Sequence, residues 1–205
     1  MSIEILTGDY FEANCYIVTF STFAIVIDPC APLKDILKKA NQLPVKGIFL
    51  THGHADHFVH MKEVVEATTA PIYCHKDAVE KIGDENKNYS VFFRKKIDFA
   101  FPQERYHFLA DGENITIDNT SIKVIYTPGH TNCSVCFVID DNIFSGDTLF
   151  KLGVGRTDLY SANTYSLYAS LEKLKHLHKD YKVFPGHGED TTLQFEIMNN
   201  PYLKN

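Results

Sequence analysis

Eight residues, Thr51-His52-Gly53-His54-Ala55-Asp56-His57-Phe58, constrain this chain more than any other stretch. Three imidazoles and a carboxylate crowd into positions 52–57. Upstream, Gly47-Ile48-Phe49-Leu50 is a short apolar run that reads as a buried strand. Downstream, Phe58, Met61, Val64 and Val65 recur at the spacing of one apolar helix face. The polar cluster therefore sits on a strand-to-helix turn, at the carboxyl end of a strand, where α/β sheets place their sites.

Imidazole nitrogen and carboxylate oxygen are the donors that zinc, iron or manganese take when thiolate is absent. Four such groups so close in sequence do not easily converge on one ion. Alternate positions His52 and His54 can point one way while Asp56 and His57 turn the other, which suggests two neighbouring metals. A polar turn with Asp56 as a helix cap is the plainer alternative, but it has no need of three histidines. Further donors recur with one grammar, an apolar strand, a glycine-containing turn and a single His or Asp. Val124-Ile125-Tyr126 leads to His130, Ile143-Phe144 to Asp147, and Val183-Phe184 to His187. Glycine allows the sharp bend that aims each donor at a shared edge.

The remaining pattern is two series of short strands, each accompanied by helices. In the first half, strands are expected at Ile3–Leu6, Asn14–Val18, Phe23–Ile27 and Pro71–Cys74, with helices over Pro32–Gln42 and Lys76–Ile82. In the second, hairpins turn at Asp118-Asn119 and Asp140-Asp141. A Gly-rich loop (Gly153–Asp158), a helix (Ala162–His178), a strand (Lys182–Phe184) and a helix (Thr192–Met198) follow. This implies two sheets packed face to face with helices outside, in one domain over 1–205. Residues 83–102 mix charge with aromatics without a period, either as a lid over a pocket or as an aromatic segment packed on the domain.

With 44% hydrophobic and 22% charged residues, the chain has the composition of a soluble globular protein. It has no apolar run long enough to span a bilayer and no leader pattern at its start, so a cytoplasmic location is expected. Five cysteines, an odd number, fit a reducing compartment. A net charge of −6 argues against nucleic acid as the main partner. Oligomeric state is not legible.

The motif His52-x-His54-x-Asp56-His57, with His130, Asp147 and His187 following in order, resembles the metallo-β-lactamase-fold hydrolase superfamily over nearly the whole chain. The resemblance implies a four-layer αββα sandwich, an α/β (α+β) fold. It also implies a dinuclear centre. His52, His54 and His130 would hold one divalent ion, Asp56, His57 and His187 the other, and Asp147 would bridge them. Zinc is the first expectation, with iron or manganese also accommodated by these donors.

Ser145-Gly146-Asp147-Thr148-Leu149-Phe150, Gly155-Arg156-Thr157-Asp158 and Pro185-Gly186-His187-Gly188 resemble the short glyoxalase II-like branch. That likeness implies hydrolysis of a small-molecule thioester of S-lactoylglutathione type. A water between two ions would supply hydroxide near neutral pH, and Asp56 would orient it and take its proton. Two departures leave the carrier thiol open. Only 18 residues follow His187, where full-length glyoxalase II enzymes carry a helical domain, and Tyr160-Ser161-Ala162 stands in place of the usual Pro-Gly-Gly.

A second resemblance, to mononuclear iron persulfide dioxygenases, would use only His52, His130 and Asp147. A non-enzymatic binding protein is the remote third reading, since such members tend to lose ligands and none is missing here. Arg156 could hold a substrate carboxylate through its planar fork or pair with Asp158. Asp28 would support the site through a ligand, or merely end its strand. Cys133-Ser134-Val135-Cys136 begins a strand, so its thiols should diverge. His60, His75, His107, His176 and His178 show no partner pattern.

Overall fold

A computed structural model describes residues 1–93 and 96–204; Arg94 and Lys95, two charges of the 83–102 excursion, lie outside the described residues. The chain forms two compact units, Met1–Phe108 and Leu109–Asn205. Each is built on one six-stranded mixed sheet. Among the described residues, no helix is long and apolar enough to cross a membrane.

In the first unit, strands β1 (Ser2–Thr7), β2 (Asn14–Thr19) and β3 (Ala24–Ile27) pair antiparallel. Every residue of β2 and β3 is buried, and Cys15–Val18 and Ala24–Ile27 within them are unbroken apolar runs. Helix α1 (Leu33–Lys39) is shorter than the 32–42 expected, because Asn41 and Gln42 take left-handed conformations. Strand β4 (Val45–Phe49) lies parallel to β3, with Ile27 opposite Phe49, so the two strands deliver Asp28 and Thr51 side by side.

The single helix predicted after the cluster is two, α2 (Ala55–Phe58) and α3 (Met61–Thr68). They part at His60, whose N–H donates to the Pro29 carbonyl at 3.1 Å instead of continuing the ladder. Its ring is tied to Asp9 at 2.8 Å and Glu63 at 3.2 Å. Strand β5 (Ile72–Cys74) follows. A tight 3₁₀ turn and α4 (Val79–Ile82) replace the helix expected over 76–82. The sheet closes on β6 (Tyr106–Phe108), parallel to β5. The sequence pattern missed β6, because its aromatics are half-buried or exposed and show no alternation.

In the second unit, β7 (Asn114–Ile117) and β8 (Thr120–Tyr126) form the first expected hairpin. Strands β9 (Val135–Ile139) and β10 (Asn142–Gly146) form the second. Left-handed Asp118 and Asp140 turn them, a conformation that aspartate tolerates. The expected Gly-rich loop instead begins as a small hairpin of β11 (Leu149–Phe150) and β12 (Gly153–Val154).

Helix α5 (Thr164–Lys175) starts at an Asn163 cap and is shorter than the 162–178 expected. Its Leu167, Leu171 and Leu174 pack with Ile125, Ile143 and Val183. Strands β13 (Lys182–Pro185) and β14 (Thr191–Thr192) and helix α6 (Leu193–Asn199) complete the unit. Because β8, β10 and β13 run in one direction, their carboxyl ends share an edge. His130, Asp147 and His187 all follow those ends.

Candidate metal centre

The first unit holds its donors through Asp28. This residue ends β3 in a left-handed conformation (φ 51°) and is 1% exposed. One carboxylate oxygen accepts the Thr51 amide at 2.8 Å. The other accepts the Thr51 hydroxyl at 2.6 Å and His57 Nδ1 at 2.8 Å. An ionised carboxylate only accepts, so His57 carries its proton on Nδ1. The Thr51 hydroxyl has spent its one proton on Asp28, so toward His52 Nδ1 at 3.1 Å its oxygen is the acceptor. Both rings therefore present an Nε2 lone pair, the form a metal takes.

His52, His54, Asp56 and His57 are all buried. The His52 ring lies 4.7 Å from that of His54 and 4.2 Å from that of His57. The rings thus gather closely, with donor atoms of His52 and His54 within 4.8 Å of each other and those of Asp56 and His57 likewise, the two pairs that alternation suggested. The turn is fixed from outside as well, since the Ala55 amide donates to the Asn88 carbonyl at 2.9 Å.

In the second unit, His130 Nδ1 donates to the Arg156 carbonyl at 2.8 Å, which again leaves Nε2 as the donor to a metal. That nitrogen stands 3.3 Å from Asp147 Oδ2, and His187 Nε2 stands 3.6 Å from the same oxygen. In the first unit, His57 Nε2 and Asp56 Oδ2 are 3.7 Å apart. Charge-assisted hydrogen bonds are shorter, about 2.7–2.9 Å. Nitrogen and oxygen donors that share a tetrahedral ion at about 2.0–2.2 Å lie roughly 3.3–3.6 Å from one another. The donor type and spacing within each unit therefore fit a divalent metal. In addition, Nε2 of His52 and His54 and Oδ1 of Asp147 are buried atoms that make no hydrogen bond.

Gly155 is the residue that lets this edge close. A Cβ there would lie 1.9 Å from the Asp147 carbonyl and 2.9 Å from His130 Cβ. The hairpin leading to it is held by Glu196, which is fully buried. Glu196 accepts the Leu152 amide at 2.9 Å, the Thr191 hydroxyl at 2.7 Å and the Asn200 side chain at 2.8 Å. Asn200 also donates to the Gly153 carbonyl at 3.1 Å. The same hairpin sets Phe150 edge-on to the His187 ring at 6.1 Å.

Glu196→Ala would leave the buried Thr191 hydroxyl without this acceptor, and at about 1–3 kcal/mol for a buried unsatisfied group it should cost about that much unfolding free energy. Urea denaturation measures it, with Glu196→Gln expected to recover part of the loss.

Arg156 grips Asp158 with two 2.7 Å bonds, one of the two arrangements open to it from sequence. That guanidinium lowers the Asp158 carboxyl to about 2. Sequence reasoning weighed the Arg156 side chain and missed its carbonyl, which orients His130. Thr51, Gly155 and Glu196 were missed too, because only three-dimensional contacts reveal them.

Cys133 lies against the Thr131 hydroxyl and Cys136 against that of Thr127, and neither is in a disulfide. Burial pushes the Cys136 thiol up to about 11. His75 caps the turn at Lys76–Ala78, and His107, His176 and His178 are exposed.

Comparison with known proteins agrees with this arrangement. Chain residues 8–187 match the family described as the metallo-beta-lactamase superfamily. A hydroxyacylglutathione hydrolase of Francisella philomiragia is 34% identical over 176 residues, covering 84% of this chain and 61% of that protein. The crystal structure of BLEG-1 B3 metallo-beta-lactamase superposes with a TM-score of 0.92 and 29% identity over the whole of both chains. That of TTHA1623 in a di-iron-bound form gives 0.85 and 30% identity, over 98% of this chain and all of the other. The matched family covers most of the chain and every donor described above, and the protein belongs to the metallo-β-lactamase superfamily.

Proposed function

We propose that this protein is a dinuclear metallohydrolase that cleaves a thioester of S-lactoylglutathione type. The observation that carries the reading is the commitment of Nδ1 in His52, His57 and His130 to acceptors, which leaves three Nε2 atoms as metal donors. His52, His54 and His130 would hold one ion, Asp56, His57 and His187 the second, with Asp147 shared. Bound there, paired ions would lower the pKa of a water to about 7 and stabilise negative charge on an acyl oxygen.

The chain's own residues do the rest. Asp28 and the Arg156 carbonyl hold the imidazoles in one tautomer and orientation. Asp56 orients the attacking water and takes its proton. A thiolate leaving group departs without a strong acid beside it, so the scarcity of acids in the set suits a thioester. Substrate class is supported by the Francisella relative, and iron as an alternative to zinc by the di-iron neighbour. For Arg156 to hold a substrate carboxylate, its pair with Asp158 would have to open.

The test is hydrolysis by metal-loaded protein of glutathione and coenzyme A thioesters beside a chromogenic cephalosporin, the latter because of the BLEG-1 likeness. Thioester cleavage lost in Asp56→Asn supports the proposal. Cephalosporin cleavage alone, or oxygen uptake with a persulfide by a one-iron protein, replaces it.

A further inference from the structure

One strip of aromatic side chains in the first unit has no part in metal binding. The Tyr89 ring meets the His54 ring edge-on at 5.4 Å, and Phe92 stacks parallel to Tyr89 at 6.1 Å. Phe92 is 71% exposed and its neighbour Val91 50%. From the turn between β1 and β2, Tyr10 stacks on Phe93 at 4.1 Å, and Phe11, 66% exposed, meets Phe93 at 5.5 Å. Apolar surface thus runs outward from His54 through Tyr89 to Phe92, and the residue next to Phe92 in the chain carries Tyr10 and Phe11.

The strip is held in place. Asn88, fully buried, donates to the carbonyls of Lys81 and Ile97 at 2.9 and 2.8 Å and accepts the Ser90 amide at 2.8 Å. Its carbonyl is the acceptor for Ala55, the first residue of α2. Tyr89 takes a left-handed conformation (φ 66°), as does Phe11 (φ 52°). An aromatic residue in that region is strained, and such strain persists where surrounding contacts enforce it and gathers at ligand sites. The buried Asn88 and Ser90 bonds tie Tyr89 to the same turn as His54, so the strip and the donors keep one geometry.

We propose that Tyr89 and Phe92, extended by Phe11, form an apolar subsite for the acyl group of the substrate, which makes the natural substrate a thioester of an unbranched or aromatic apolar acid. The proposal rests on the thioesterase reading and puts an apolar acyl group in place of the polar lactoyl group. The acyl chain is the apolar part of a thioester and gains by covering Phe92 and Phe11, whereas a polar carrier thiol does not.

Two measurements on the full-length, metal-loaded protein test it. First, calorimetric titration with straight-chain methyl ketones from butanone to decanone, which cannot be hydrolysed, reads binding without activity. Affinity should rise about two- to fourfold per added methylene, with a negative heat-capacity change. That rise should vanish in Phe92→Ser and weaken in Phe11→Ser, with the metal content of both unchanged. Second, acetyl, butyryl and octanoyl thioesters of one thiol are compared. Wild type should favour octanoyl through KM, and Phe92→Ser should lower the octanoyl-to-acetyl ratio of kcat/KM by about tenfold or more.

Ketone affinity that is flat with chain length, or that survives Phe92→Ser, overturns the subsite. Chain-length-dependent ketone binding with no thioester cleaved keeps the subsite and removes the thioesterase reading.

Discussion

Alanine at Gly155 should cost activity about 100-fold or more, the loss that a displacement of about 1 Å at a catalytic group produces. The added Cβ would stand 1.9 Å from the Asp147 carbonyl and 2.9 Å from the His130 Cβ. Neither neighbour is a flexible side-chain end, since one is backbone and the other sits at the root of a donor residue. The clash must therefore move Asp147 or His130, both of which are buried. Overpacking of this kind costs about 1–3 kcal/mol in stability, so the variant should still fold. Gly153→Ala is the control, because its added Cβ meets Phe150 at 3.8 Å, an ordinary contact. Measuring kcat/KM and bound metal for both separates site distortion from general destabilisation. Equal activity in the two variants would mean that this close approach does not matter.

Replacing Asp28 should have the second large effect, although no metal touches it in this account. The carboxylate accepts three hydrogen bonds and sets the Nδ1 proton of His57 directly and that of His52 through Thr51. Loss of such an outer partner typically lowers metal affinity about 10–100-fold. Asp28→Asn keeps the shape but turns one acceptor into a donor, which faces either the Thr51 amide or both the Thr51 hydroxyl and the His57 N–H. Chelator competition should show the affinity loss in Asp28→Asn and Asp28→Ala alike. Metal-free unfolding curves should show the alanine variant less stable, because the Thr51 and His57 donors are then left buried without an acceptor. Wild-type affinity in both variants would mean that the ring orientations are set elsewhere.

What could be read from the sequence was local. His52, His54, Asp56 and His57 announce themselves by density, and His130, Asp147 and His187 by following apolar strands at glycine turns. The two sheets and the helices expected over 32–42, 162–178 and 192–198 lie close to their predicted places, because Val, Ile and Phe runs and Asp-containing turns act within a few residues. The errors lie where tertiary contacts overrule local pattern. His60 gives its amide to Pro29, which splits one expected helix into α2 and α3. Strands β6, β11, β12 and β14 have two or three residues each, too few to show a period. The Arg156 carbonyl bonds to His130 whatever side chain it carries, so no residue-type pattern could reveal it. Glu196 looks like a surface charge in a helix sequence, and only its three donors, drawn from the β11–β12 turn, β14 and the residue that ends α6, explain its burial.

The most direct measurement is elemental analysis of the full-length protein purified without added metal, repeated on His130→Ala and His187→Ala. The account expects two divalent ions per wild-type chain, with each variant losing occupancy of one ion and keeping the other more tightly. A single ion per chain, unaffected by His187→Ala, or a metal-free protein that takes up none on dialysis against zinc or iron, would contradict it.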